Sequence, residues 1–141
     1  AGDIGGHIGP GVTHTPISII HASVNPGTSL ELEWEGTFNA IGYVLAGNGY
    51  AGKERTPVLT GQAIQFGSGG FIEICASQVQ DSRTNDLEIL ILGGKPIREP
   101  IAWHGPFVMN TRHELMEAFQ DYHKGKLGVI PVDDSDSANQ R

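Results

Sequence analysis

Residues 30–35 read Leu30-Glu31-Leu32-Glu33-Trp34-Glu35, a strict alternation of apolar and acidic side chains. Successive side chains of a β-strand point to opposite faces, so Leu30, Leu32 and Trp34 share one face and three carboxylates share the other. The segment is a half-buried strand with one dry face and one wet face. Upstream, residues 17–24 are a mainly apolar run rich in Ile, and Asn25-Pro26-Gly27 ends it with the proline and glycine of a type II turn. Downstream, residues 40–47 are again β-rich and are followed by Asn48-Gly49. That dipeptide suits the two positive-φ positions of a type I′ hairpin turn, so a strand is expected to return from Tyr50. Further strands are expected at 58–59, 63–66, 71–76 and 87–92, separated by Gly67-Ser68-Gly69-Gly70 and by polar residues 80–86. Short strands at such intervals predict an all-β fold, an antiparallel sandwich or barrel.

Composition agrees. The 141 residues include 20 glycines and 8 prolines with only 38% hydrophobic residues, which favours short strands and tight turns over a helical bundle. One core is expected for this length. Residues 1–14 hold too many glycines for a regular element and read as a loop-rich entry. The net charge is −7, and the nine basic residues are scattered from Lys53 to Arg141, so no stripe exists for a nucleic acid to bind. No run approaches the roughly 20 apolar residues of a membrane-spanning helix, and no charged-then-apolar leader opens the chain. Cys75, the only cysteine, excludes an internal disulfide; within Phe71-Ile72-Glu73-Ile74-Cys75 it reads as a small buried hydrophobe of a reducing compartment with no cation near it. A cytoplasmic location is the corresponding expectation.

One helix is written clearly. Thr111 and Glu114 form a capping box, Leu115, Met116, Phe119 and Tyr122 recur as an apolar stripe, and Gly125 follows Lys124 as the stop. The helix is expected over about 112–124, its stripe used for core packing. Residues 131–141 are expected to form an acidic, disordered tail after a domain at 1–130, since Asp133 to Arg141 hold no apolar side chain larger than alanine.

Three stretches carry a family resemblance. Residues 36–49, containing Tyr43-Val44-Leu45-Ala46-Gly47-Asn48-Gly49, are similar to the tyrosine-containing hairpin of cupins, and Gly61 to Gly67 looks like the start of their second motif. Residues 93–111, with Trp103-His104-Gly105-Pro106-Phe107-Val108-Met109 at their centre and the capped helix behind them, closely resemble the C-terminal signature of pirins. The likeness runs from residue 1 to about residue 130. It implies a cupin-type antiparallel β-barrel, or jelly roll, with one C-terminal α-helix, forming the C-terminal half of a two-cupin protein. It also implies that iron or another divalent metal is held in an N-terminal cupin domain, of which this chain contains no counterpart.

Metal-binding cupins supply H-x-H-x3-E from their first motif. Counting back from Tyr43 puts Glu33, Glu35 and Asn39 at those places and Ile74 near the fourth ligand, so the imidazoles are gone. No catalytic, cofactor or metal residue is assigned, although Glu33 and Glu35 are the carboxylates an oxygen-ligand site would use. His7, His14 and His21 recur every seventh residue, but a glycine-rich loop imposes no helical geometry on them and the usual ligand spacings are absent. They read as solvent-facing or singly hydrogen-bonded.

Two functions follow as expectations. The first is a metal-free module supporting an N-terminal cupin, within a protein of quercetin 2,3-dioxygenase-like activity or one that regulates protein partners. The second is a stand-alone cupin binding a divalent metal or small ligand through carboxylates. Under the first, Trp103, His104, Phe107 and Met109 are the candidate docking residues. They lie in a stretch whose glycine and proline disfavour a helix or a central strand, and a chain lacking its partner is expected to expose them or to dimerise through them.

Overall fold

The structure, a computed structural model, describes residues 1–128; the expected tail at 131–141 lies outside them. The chain divides into two compact units, Ala1–Ile97 and Arg98–Arg141.

The first unit is an antiparallel β-structure. A short ribbon, β1 (Asp3–Ile4) with β2 (His7–Ile8), opens it. Two four-stranded sheets follow. One has the order β3 (Ile17–Val24), β10 (Leu87–Gly94), β5 (Asn39–Ala46), β8 (Ala63–Gln65). The other has the order β4 (Ser29–Glu33), β9 (Phe71–Ala76), β6 (Asn48–Ala51), β7 (Thr56–Leu59).

Alternation decides what goes inside. In β5, Ala40, Gly42, Val44 and Ala46 are buried while Asn39, Ile41, Tyr43 and Leu45 are exposed. In β10, Leu87, Ile89 and Ile91 are wholly buried. They meet Ile72, Ile74 and Ala76 of β9, Ala51, Val58 and Trp34 in one core. Each fully buried aliphatic side chain contributes about 1.5–3 kcal/mol relative to exposure, so this shared interior is what holds the two sheets together. Strand β4 keeps the expected faces: Leu30, Leu32 and Trp34 are covered and Glu31, Glu33 and Glu35 are exposed.

The turn at Asn25-Pro26-Gly27 is as expected, with Gly27 at φ 71° and Thr28 N–H donating to the Asn25 carbonyl at 3.1 Å. The hairpin expected at Asn48-Gly49 is not there. Both residues lie within β6, and the chain crosses from one sheet to the other at Gly47. The Gln80 side-chain amide replaces a turn's local hydrogen bonds: its oxygen accepts from Asn48 N–H at 2.8 Å and its nitrogen donates to Asn48 O at 2.9 Å. A contact with a residue 32 positions away has overridden the local turn preference of Asn-Gly. The return hairpin instead turns at 52–55, where Arg55 N–H donates to Gly52 O at 3.0 Å.

Gly49 has a different role. Its backbone lies so close to β9 that an added Cβ would collide with the Cys75 carbonyl and come within 2.9 Å of Leu87 Cδ2. Gly49→Ala is therefore expected to cost about 3 kcal/mol, because neither a strand carbonyl nor a fully buried leucine can move aside cheaply. Urea denaturation is the check; a variant with the parent's midpoint and slope contradicts the packing described.

Candidate functional site

The candidate docking residues all lie in the second unit. There β11 (Ala102–His104) pairs antiparallel with β12 (Phe107–Met109), and α1 (Arg112–His123) follows. The Gly105-Pro106 pair, which disfavours a helix or a central strand, is the two-residue turn between these two edge strands. Gly105 takes φ 56°, which the first central position of a type II′ turn requires, and proline's fixed negative φ suits the second. The legible signal is Gly-Pro between Ala102-Trp103-His104 and Phe107-Val108-Met109.

The hairpin has two unlike faces. Trp103 pairs with Val108, and both are exposed, at 74% and 62%. The Trp103 indole N–H donates to Gly105 O at 2.8 Å, tying the exposed ring to the turn. On the other face Phe107 meets Phe119 edge-on at 4.9 Å and 80°, and His104 meets the same ring at 5.5 Å and 72°. Phe107 and Met109 are half-buried, whereas His104 is exposed on its remaining side. The four candidates thus do not form one surface. Trp103 points outward beside Val108; Phe107 and His104 build the hairpin–helix contact.

The helix stripe is only partly covered. Leu115 is buried and Phe119 half-buried, but Met116 and Tyr122 are each 62% exposed, which corrects the expectation of a core stripe. One hairpin is too narrow to cover a whole helix face. The result is a cleft of about 880 Å³ lined by Trp103, His104, Thr111, Leu115, Met116 and Phe119, among others.

The helix ends are well made. Glu114 N–H donates to Thr111 Oγ1 at 3.2 Å, while Glu114 Oε2 accepts from Thr111 N–H at 2.7 Å, from Thr111 Oγ1 at 2.9 Å and from Asn110 N–H at 3.1 Å. The Thr111 hydroxyl, then the backbone donors, hold the Glu114 carboxyl below its ordinary value. At the other end Lys126 N–H donates to Asp121 O and Gly125 N–H to Tyr122 O, a Schellman closure, and Lys126 Nζ adds an ion pair to Asp121 at 2.7 Å.

The other candidates lie in the first unit. Glu33, Glu35 and Asn39 are all exposed, and Glu35 Oε1 is occupied with Thr37 N–H and Oγ1 at 3.4 and 3.2 Å. The side chains pointing into the core near these positions are Trp34 and Ala40 instead, facing Ile72 and Ile74. Trp34 Nε1 is buried without a partner, a donor where a cation would need an acceptor. The interior residues thus do not fit a metal, and among the described residues no three His, Cys, Asp or Glu side chains are placed to share one. His7 and His14 are exposed; His21 lies 3.6 Å from the Glu88 carboxylate.

Cys75 is buried, but not in the core. It is out of phase with the inward Ile72, Ile74 and Ala76, lies on the outer side of β9, and has Ser29 Oγ at 3.6 Å and Arg55 Nη1 at 3.9 Å. The expectation of no neighbouring cation is corrected: Arg55 comes from the 52–55 turn, 20 residues away, and also stacks on Tyr50 at 4.7 Å. Only the pairing of β6 with β9 brings it there.

The family model described as the pirin C-terminal cupin domain matches residues 19–128. The chain belongs to the pirin C-terminal cupin family. It is similar to a pirin-like protein of tomato (Solanum lycopersicum), 32% identical over 82% of this chain and 38% of the relative. It is also similar to Pirin-like protein 2 of Arabidopsis thaliana, 30% identical over 91% of this chain and 40% of the relative. Among solved structures, a quercetin 2,3-dioxygenase from Acinetobacter baumannii superposes with a TM-score of 0.77 at 29% identity, covering 93% of this chain and 43% of that one. The pirin cupin domain thus spans about two-fifths of the relatives it matches. Among its described residues no helix is long and apolar enough to cross a membrane.

In this pirin cupin domain, Thr111→Ala is expected to cost about 1 kcal/mol through loss of the N-cap. Glu114, with its lowered folded value, stabilises the helix above the ordinary carboxylate range, and that contribution is lost as pH falls through the folded value. The stability gap between parent and Glu114→Ala should therefore be present at neutral pH and close under acid; a gap that is constant with pH contradicts the assigned hydrogen bonds. Phe119→Ala is expected to cost about 2 kcal/mol, below the roughly 3–5 kcal/mol of a fully buried phenylalanine, because its ring is half covered and held by two edge contacts. Thermal denaturation distinguishes these values from the near-zero change of a surface ring.

Proposed function

We propose that this chain is a metal-free accessory cupin, the C-terminal half of a two-cupin protein, and that it works by packing against and supporting an N-terminal cupin that holds iron or another divalent metal. The observation that carries this reading is the chemistry of the interior. Val44, Ile74, Leu87, Ile89 and Ile91 are wholly buried, Trp34 and Ala40 face the same core, and none of them offers a lone pair to a metal. Glu33 and Glu35, the carboxylates of the stand-alone alternative, face solvent, where hydration competes with coordination. The extent of the match also supports the reading, since the relatives are more than twice as long as the part this chain resembles. In this reading the whole protein is a quercetin 2,3-dioxygenase-like enzyme or a metal-dependent regulator acting through protein contacts, and its metal chemistry belongs to the other half.

Docking in the second unit is assigned to the outward face of the β11–β12 hairpin, where Trp103 and Val108 stand side by side and exposed. A tryptophan anchored at a tight turn is a rigid contact residue that loses little conformational entropy on binding. His104, Phe107 and Met109 serve the same surface indirectly, by holding the hairpin on the helix.

Two measurements test the reading. Elemental analysis of the purified chain is expected to find only substoichiometric iron, nickel, manganese or zinc; a near-stoichiometric ion would restore the stand-alone cupin. Trp103→Ala is expected to leave the stability of this chain within about 0.5 kcal/mol while lowering that of the two-cupin protein by about 2 kcal/mol. Equal effects in both contradict docking through Trp103.

A further inference from the structure

We propose that Asn48-Gly49 is a spontaneous modification site, at which the Asn48 side-chain amide is converted to an acid, and that the Gln80 side chain is the guard that keeps it unreacted in the folded chain.

The chemistry is carried by the sequence. Asn48-Gly49 is the one Asn-Gly dipeptide in the chain. Glycine has no side chain to hinder its backbone nitrogen, so the Gly49 nitrogen can attack Asn48 Cγ whenever the backbone is free to turn. The new N–Cγ bond closes a cyclic imide, the Cγ–Nδ2 bond breaks, and the Gly49 amide proton leaves with the side-chain nitrogen as ammonia. Water then opens the imide at one of its two carbonyls and leaves aspartate or isoaspartate at position 48. Water is the only co-reactant, and nothing is oxidised or reduced.

The fold opposes the first of these steps. Ring closure needs Asn48 to swing out of the extended backbone that it adopts within β6. Three hydrogen bonds hold it there. Asn48 N–H donates to Gln80 Oε1 at 2.8 Å, and Asn48 O accepts from Gln80 Nε2 at 2.9 Å and from Ser77 N–H at 3.1 Å. Gln80 supplies two of the three, and is itself steadied by donating from Nε2 to Ser77 O at 2.8 Å. The restraint on the dipeptide therefore comes mostly from one side chain outside the strand ladder.

The surroundings make the reaction one-way. Asn48 Oδ1 is buried with no hydrogen-bond partner among the described residues. An aspartate there would place a charged oxygen where no donor awaits it. Isoaspartate would insert a methylene into the main chain just before Gly49, whose backbone lies too close to the Cys75 carbonyl to admit even a Cβ. Neither product fits β6. Conversion thus records that this strand has opened and prevents it from closing again.

Peptide-mapping mass spectrometry of the whole chain, incubated at neutral pH, tests this. The parent should convert Asn48 slowly in buffer and readily in urea. Gln80→Ala should convert it about tenfold or more faster than the parent in buffer, and at the parent's rate in urea. Ile91→Val, which loosens the same core without touching Asn48, should stay near the parent's rate. Should Gln80→Ala not fold, Gln80→Glu takes its place: it keeps the acceptor for Asn48 N–H, loses the donor to Asn48 O, and should give a smaller rise. Equal rates for parent and Gln80 variant in buffer overturn the guard. A rise that Ile91→Val matches at a comparable loss of stability overturns it too, because global unfolding would then control the rate. Absence of conversion in urea overturns the site itself.

Discussion

Strand β10 is the constraint on which the first unit depends. It pairs with β3 over its whole length and with β5 from Glu88 to Gly94, with a register shift between Glu88 and Ile89, so its register sets theirs. Its inward side chains, Leu87, Ile89 and Ile91, are wholly buried and form the centre of the core. Its outward side chains, Leu90 and Leu92, form the centre of the apolar sheet face. A one-residue slip would exchange the two sets, which is why a strand apolar on both faces needs its neighbours to fix it.

From that packing follows the functional character of the unit. A cupin that binds a metal keeps polar ligands inside its barrel, whereas here the interior is filled to the centre with aliphatic groups and closed by Trp34. The unit's outer surface exposes Glu31 and Glu33 with Leu59 and Phe71 on one sheet, and Ile19, Ile41 and Tyr43 on the other. The accessory role proposed above rests on that interior, and in the second unit on the exposed Trp103 and Val108.

Much of this was legible in the sequence, for physical reasons that differ from element to element. The alternation in residues 30–35 fixed both faces of β4, and Thr111 with Glu114 fixed the helix start because a capping box is entirely local. Where the sequence misled, a distant contact had won. Asn48-Gly49 has the chemistry of a hairpin turn, but the Gln80 amide holds Asn48 in a strand. Arg55 reaches Cys75 only through the pairing of β6 with β9. Gly105-Pro106 is local and readable: the pair disfavours a helix or a central strand, and the structure uses it as the turn between two edge strands. The apolar sheet face was also written in the sequence, in runs that do not alternate, but only the register shows that Ile19, Leu92 and Ile41 form one row.

Anomalous diffraction at the metal edge, from crystals of the two-cupin protein, tests the central claim most directly because it locates both the ion and the partner domain. The account predicts a single metal peak per chain, ligated wholly by residues preceding this domain, with Trp103 and Val108 covered by the N-terminal cupin. A peak within coordination distance of Glu33 or Glu35, or a partner domain that leaves Trp103 and Val108 open to solvent, would contradict it.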